Sequence, residues 1–180
     1  LEDSKKPLCT IISGAKISTK ISLIETFSDK ADHLILGGGL LNTYLQCKGF
    51  EVGVSLVERD LSQEVLSFFE SESAKKIIMP TDLVCSADAS LDYPKTKSIS
   101  MVQSNDKILD IGTKSIERYT EIIKKSSTVF WNGPLGYVEK KPYDKGTESI
   151  INVLADANCY SVIGGGDTVS VIENMGVQDK

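Results

Sequence analysis

At 180 residues, with 41% hydrophobic and 25% charged side chains, the chain can close one ordinary core, and its length argues for a single domain. A net charge of -5 provides no basic face for neutralising phosphates, so nucleic acid is not an expected partner. Cys9, Cys47, Cys85 and Cys159 form no C-x-x-C pair and His33 is the single histidine, so neither a zinc cage nor a disulfide framework is readable.

The cysteines are expected to be reduced, half-buried thiols. No apolar run approaches the ~18 residues of a membrane span, and no charged-then-apolar leader opens the sequence, so the expected compartment is the cytoplasm. A start without Met and an end at Lys180 with no evident cap read as a piece of a longer protein.

In chain order, extended and helical periods alternate. Leu8-Cys9-Thr10-Ile11-Ile12 reads as a buried strand, and Ile17, Ile21, Leu23, Ile24 and Phe27 recur at helical spacing after it. A second strand ends at Leu36; Leu40, Leu41, Tyr44 and Leu45 mark a helix closed near Gly49, and Leu61, Val65, Leu66 and Phe69 mark a third. Lys76-Ile77-Ile78-Met79 reads as a strand stopped by Pro80, and Leu83-Val84-Cys85 with Ser98-Ile99-Ser100-Met101 as a peripheral hairpin. Ile108 to Gly112 is a further strand, followed by helices around Ile116–Ile123 and Ile150–Leu154 on either side of the Trp131 strand. This βα alternation predicts an α/β fold: a doubly wound, mostly parallel sheet with helices on both faces, a Rossmann-like three-layer domain.

Three of the strands run into glycine clusters: Leu36 into Gly37-Gly38-Gly39, Trp131 into Asn132-Gly133-Pro134-Leu135-Gly136, and Ile163 into Gly164-Gly165-Gly166-Asp167-Thr168. As parallel neighbours these strands would bring their glycine loops to one edge, where backbone amides and a flat ligand can approach closely. A nucleotide suits such a crevice. The G-x-x-x-x-G-K-[ST] loop is excluded because no Gly-Lys dipeptide occurs. G-x-G-x-x-G fails too, since Asn42 and Val169 stand where its last glycine belongs.

Other groups must therefore hold the phosphates. Lys16 and Lys20, four residues apart at the opening of the first helix, would share a face and meet a polyphosphate at its positive end, or else form a solvated pair. Asp167 is either a Mg²⁺ ligand, with the amides of Gly165 and Gly166 and the Thr168 hydroxyl taking phosphate oxygens, or an ordinary helix N-cap. Pro134 between two glycines offers an apolar wall, and Glu139 is either a ribose acceptor or a surface acid. Gly37 to Gly39 is either a surface for an adenine ring or a tight turn.

Ser-Gly-Ala-Lys-Ile-Ser-Thr-Lys at 13–20, Leu-Ile-Leu-Gly-Gly-Gly at 34–39, Val-Gly-Val-Ser-Leu at 52–56, Leu-Asp-Ile-Gly at 109–112, Trp-Asn-Gly-Pro-Leu-Gly at 131–136 and Gly-Gly-Gly-Asp-Thr at 164–168 together resemble the phosphoglycerate kinase family. Their order and spacing resemble its carboxyl-terminal, nucleotide-binding domain over nearly the whole chain. Ser13, Tyr137-Val138 and Pro142-Tyr143 are small departures from the family pattern. The amino-terminal phosphoglycerate-binding domain and the final glycine-rich tail are absent from residues 1–180.

The resemblance implies reversible phosphoryl transfer between 1,3-bisphosphoglycerate and MgADP, giving 3-phosphoglycerate and MgATP in glycolysis, by a cytoplasmic monomer. It implies that Lys16 steadies the phosphoryl group in transit and that Lys20 contacts nucleotide phosphates. Gly38 and Gly39 would pack on adenine between Leu56 and Pro134, Asn132 would lie by the phosphates, and Glu139 would bind ribose. Gly165, Gly166 and Thr168 would hold phosphates, with Asp167 as the Mg²⁺ ligand. Phosphoglycerate would be met only through the missing domain, so this piece is expected to bind nucleotide without useful catalysis. A dinucleotide-dependent dehydrogenase or a non-catalytic sensing module are the alternatives, distinguished by NAD binding or by no nucleotide binding at all.

Overall fold

The computed structural model describes residues 4–88 and 90–178. Its central strand, β1 (Leu8–Gly14), is buried from Leu8 to Ser13 and lies between β2 (His33–Gly37) and β6 (Thr128–Asn132), with β7 (Tyr160–Gly164) beyond β6. All three pairings are parallel, and their register places Ile35, Ile11, Trp131 and Ile163 in one row across the sheet. Strands covered on both faces need apolar residues at successive positions, which is why β1 and β2 read as unbroken hydrophobic runs. The glycine-ended strands are not all neighbours, since β1 separates β2 from β6, yet parallel pairing still carries their ends to one edge.

The covering helices are α1 (Ile21–Lys30), α2 (Gly38–Cys47), α3 (Gln63–Glu70), α4 (Thr113–Lys125), α5 (Lys145–Asp156) and α6 (Gly166–Met175). Helix α1 presses Phe27 flat on Phe130 of β6, with ring centroids 4.0 Å apart. Helix α3 is started by Ser62, whose hydroxyl accepts the Val65 amide. The parallel sheet with its flanking helices is the expected α/β architecture.

The strand expected at Lys76–Met79 does not form. Residues Ser73–Lys76 make a short 3-10 helix, and a single parallel bridge joins Leu34 to Ile77 before Pro80, which has no amide to donate, ends the run. The expected hairpin exists as β3 (Asp82–Ser86) against β4 (Lys95–Ser98), but residues Ile99–Met101 form a 3-10 turn. The next strand, β5 (Lys107–Ile111), pairs antiparallel with β3 and so belongs to a separate sheet of order β4-β3-β5. Its run Ile-Leu-Asp-Ile is buried in either sheet, so hydrophobicity could not assign it. The cysteines differ among themselves: Cys9 and Cys85 are buried, Cys47 is exposed, and only Cys159 lies between.

The second sheet is tied to α4 by Asp82. Its carboxylate accepts the amides of Lys114 at 3.2 Å and Ser115 at 2.8 Å, and the Ser115 hydroxyl at 2.9 Å. A residue from another strand thus caps the helix, and Gly112 is required because a β-carbon there would overlap the carboxylate. Asp82→Ala is expected to lower unfolding stability by about 2 kcal/mol, from a lost cap with buried amides left unpaired. Urea unfolding checks this; a change within about 0.5 kcal/mol would mean that the cap contributes nothing.

Candidate functional site

A cleft of about 460 Å³ opens between the carboxyl edge of the parallel sheet and strand β5. Its floor and one wall are glycine-rich backbone, Gly14, Gly38 and Gly39. Pro134, Leu135, Gly136 and Tyr137 line it next to these glycines, and exposed Leu56 with Ile108 to Ile111 of β5 is also in the lining. Of the expected site residues, Gly38, Gly39, Leu56, Pro134, Glu139 and Asp167 line this one cavity.

The glycines are there first for the protein's own backbone. Gly38 has φ +58°, and a β-carbon on it would sit 2.9 Å from the Gly14 carbonyl; one on Gly39 would overlap the Ala15 carbonyl. Gly133, at φ +93°, is pressed on the Ser13 carbonyl in the same way. The amide of Gly38 reaches the Leu135 carbonyl at 3.3 Å, and the Ser13 hydroxyl donates to the Pro134 carbonyl. Trp131, fully buried, donates its indole N–H to the Gly133 carbonyl at 2.6 Å. The resulting rim is a bare, close-set backbone surface.

Lys20 crosses the end of β1. Its ammonium donates to the Ser13 carbonyl at 2.6 Å and to Asn132 Oδ1. Burial lowers its pKa while the Asp167 carboxylate pushes it back up, so Lys20 and Asp167 feel each other across this edge. The loop at Gly165 joins them: a β-carbon at Gly165, φ +95°, would lie 3.2 Å from the Gly133 amide and 3.7 Å from Asn132 Nδ2.

The two lysines do not share a helical face. Helix α1 begins only at Ile21, with Lys20 as its cap residue, and Lys16 is exposed in the turn before it and is not part of the cleft lining. Side chains that bond the backbone locally hold the turn open: Thr19 Oγ1 donates to the Lys16 carbonyl at 2.8 Å, and Ser18 binds Glu58 through its amide at 3.0 Å and its hydroxyl. Burial would raise Glu58, but these Ser18 bonds, the Ile17 amide and the charge of Lys16 outweigh it and hold the carboxyl low.

At α6 the cap residue is Gly165, and no side chain caps the helix. Asp167 is therefore not an N-cap; it stands exposed in the first turn beside amides that have no intrahelical partner. Gly166 has nothing within 4 Å of where a side chain would begin. Thr168 is fully buried and its Oγ1 has no hydrogen-bond partner. Glu139 is exposed.

Tyr137, Asn42 and Asp110 are among the lining residues that the sequence did not mark as site residues. Tyr137 was noted only as a departure from the family pattern, Asn42 only as the residue that breaks a glycine motif, and Asp110 only as part of Leu-Asp-Ile-Gly. Asn42 is buried and ties the 52–58 segment to α2, its Nδ2 donating to the Leu56 carbonyl at 3.2 Å. No periodic or spacing signal marks these positions.

Fold and cleft together define a doubly wound α/β domain whose ligand cleft lies at the carboxyl ends of its parallel strands. Residues 1–180 match the family Phosphoglycerate kinase, and the chain belongs to that family. It is 35% identical over 183 residues to a phosphoglycerate kinase of Coxiella burnetii, covering 100% of this chain and 47% of that protein. The solved structure of phosphoglycerate kinase from Coxiella burnetii aligns with a TM-score of 0.93 at 35% identity, over 99% of this chain and 47% of that one. Phosphoglycerate kinase from Pyrococcus horikoshii OT3 shares the fold, with a TM-score of 0.75 at 23% identity over 96% of this chain and 45% of its own. The chain thus spans about half the length of these relatives.

Gly133→Ala is expected to cost about 2 kcal/mol or more, from a left-handed backbone and overlap with Ser13. Gly166→Ala, in open space, should leave stability within about 0.5 kcal/mol. Thermal unfolding of the two variants checks the contrast; equal losses would mean that the rim does not depend on backbone contact.

Proposed function

We propose that this domain binds MgADP and MgATP as the nucleotide half of a phosphoglycerate kinase that transfers a phosphoryl group between 1,3-bisphosphoglycerate and ADP. The observation that carries the reading is the polarity of the cleft. Gly38, Gly39, Leu56 and Pro134 give its lining an apolar part, whereas Asp167 of the same lining stands in the first turn of α6 with its unpaired amides, and Lys20 holds Asn132 at the neighbouring strand ends. A purine fits the first and a polyphosphate the second. Glu139, also in the lining, would be the ribose acceptor.

In this reading Lys20 is the fixed phosphate ligand, held in place by the Ser13 carbonyl and Asn132 before any ligand arrives. The amides of Gly166 and Asp167, in the first turn of α6, take phosphate oxygens. Among the described residues no group of three or more His, Cys, Asp or Glu side chains could hold a metal. A single exposed carboxylate, Asp167, suits a Mg²⁺ that arrives on the nucleotide with most of its ligands from phosphate and water. When bound, the ion would neutralise phosphate charge.

Lys16, exposed in the turn after β1, supplies charge to the phosphoryl group in transit; such transfers need positioning and charge compensation more than covalent chemistry. Phosphoglycerate would come from the half that these residues do not include, so the piece alone binds nucleotide without useful turnover.

Calorimetry with MgADP and, separately, NAD is the direct test: binding of MgADP alone supports the reading, and binding of NAD or of neither overturns it. Lys20→Ala should weaken MgADP by roughly 10–100-fold, the scale of a lost charge-assisted bond. In the complete two-domain enzyme, Lys16→Ala should lower turnover by roughly 10²–10³ with little change in nucleotide affinity. Unchanged turnover would remove Lys16 from the transfer step, and a coupled ATP-formation assay showing substantial turnover by residues 1–180 would refute the division of labour.

A further inference from the structure

Asp110, in β5, lines the cleft and is 2% exposed, yet the nucleotide reading gives it no task. Its Oδ2 accepts the amide of Gly146, in the first turn of α5, at 2.7 Å, and its Oδ1 accepts the Ile111 amide at 2.8 Å. The carboxylate thus takes up an orphan amide of a helix that belongs to the other sheet's layer. Gly136 of the cleft wall is packed on the same oxygen, as is Gly146: a β-carbon on either would overlap Oδ1. One residue earlier, the Leu109 carbonyl accepts the Tyr137 amide at 2.8 Å. The wall carrying Pro134 and Tyr137 is therefore docked on Asp110 and its neighbour.

A purely structural dock would not need a charge. A buried carboxylate is costly, and among the described residues no lysine or arginine pairs with this one. Its charged neighbour is another buried acid, Asp144, in the turn before α5, whose partner is Lys141 at 3.4 Å. Lys141 also reaches Glu148 of α5 at 3.5 Å. Opposite Asp110 in the ladder, β3 presents the uncharged Val84, and the charged residues lining the same cleft are Lys107, Glu139 and Asp167.

We propose that Asp110 is a positioning residue for nucleotide binding: its ionised carboxylate grips the Gly146 amide and seats the Pro134–Tyr137 wall, so the cleft binds nucleotide more tightly when Asp110 is charged than when it is neutral. The proposal rests on the nucleotide reading above. Burial first, and then Asp144, push the carboxyl up to about 7 against the pull of its two amides, so both charge states are populated near neutral pH.

The two consequences have opposite signs. A carboxyl raised in the folded state makes the fold lose stability as pH rises from its ordinary 3.8 to about 7, and the loss is complete above that. Nucleotide affinity should rise through the upper part of the same window. A merely structural role would move both in the same direction.

The experiment is calorimetric titration with MgADP on wild type and Asp110→Asn, from roughly a unit below to a unit above about 7. Taking the ratio of the two affinities cancels protonation of the ligand's own phosphates. That ratio should rise roughly 5-fold across the midpoint, the scale of one net hydrogen bond, while urea unfolding shows wild type losing stability relative to the variant. Trp131, the single tryptophan, bonds Gly133 in the same loop, so its emission should titrate in wild type and be flat in Asp110→Asn. The transition should survive in His33→Gln and move to lower pH in Asp144→Asn, which also serves if Asp110→Asn does not fold.

A pH-independent affinity ratio, a Trp131 transition that persists without Asp110, or a midpoint indifferent to Asp144 would overturn the proposal. If wild type binds no MgADP at any pH, it is the nucleotide reading that fails, and the Trp131 titration still decides whether Asp110 sets the loop.

Discussion

At the carboxyl end of β1, stretches of backbone from separate parts of the chain meet at distances that leave little or no room for a β-carbon. Gly38 and Gly39 rest on Gly14 and Ala15, Gly133 rests on Ser13, and Gly165 stands over Gly133. The contacts are polar as well as close, with the Gly38 amide on the Leu135 carbonyl and Lys20 bridging Ser13 to Asn132. Three of these glycines, Gly38, Gly133 and Gly165, also hold backbone angles that side chains resist. The part of the cleft formed by Ser13 to Ala15, Gly38, Gly39 and Pro134 is built on this junction, so its shape there is set by backbone geometry rather than by side-chain rotamers.

Three buried acids hold the second sheet together and to the helices beside it, and each is satisfied differently. Asp82 takes amides and a hydroxyl at the start of α4. Asp106 has Lys97 at 2.7 Å, with the Gln103 amide added. Asp110 has amides alone, and burial drives its carboxyl up to about 7. The order follows from electrostatics: a cation or several strong donors compensate a buried charge, while two amides beside a second acid do not. The least compensated of the three is the one that lines the cleft.

The lysines divide along similar lines. Lys20 is half-buried and committed to two acceptors, which suits a preformed phosphate ligand. Lys16 projects from a turn stapled by Ser18 to Glu58, so its backbone is anchored while its ammonium stays in solvent. Glu58 is itself placed by Thr43 of α2, whose hydroxyl accepts its amide at 3.0 Å. The two sides of the cleft are thereby connected through α2, the helix whose first residues form the glycine floor.

The alternation of strands and helices, the glycine-ended strands and the family were legible in the sequence, because buried parallel strands demand unbroken apolar runs and close backbone contact demands glycine. The motifs at 13–20, 34–39, 131–136 and 164–168 mark the loops that the fold brings to one rim. Four things were not legible: that β5 joins the antiparallel sheet, that Lys76–Met79 makes one bridge only, that Lys16 lies outside α1, and that Asp110 and Asn42 line the cleft. Residue order alone determined which segments could be strands, helices and glycine turns, since these depend on local period and backbone freedom. Which sheet a strand joined, where a helix began against competing Ser and Thr bonds, and which acid lost its counter-charge were decided by partners far away in the chain, because pairing, burial and electrostatics depend on what surrounds a residue in space.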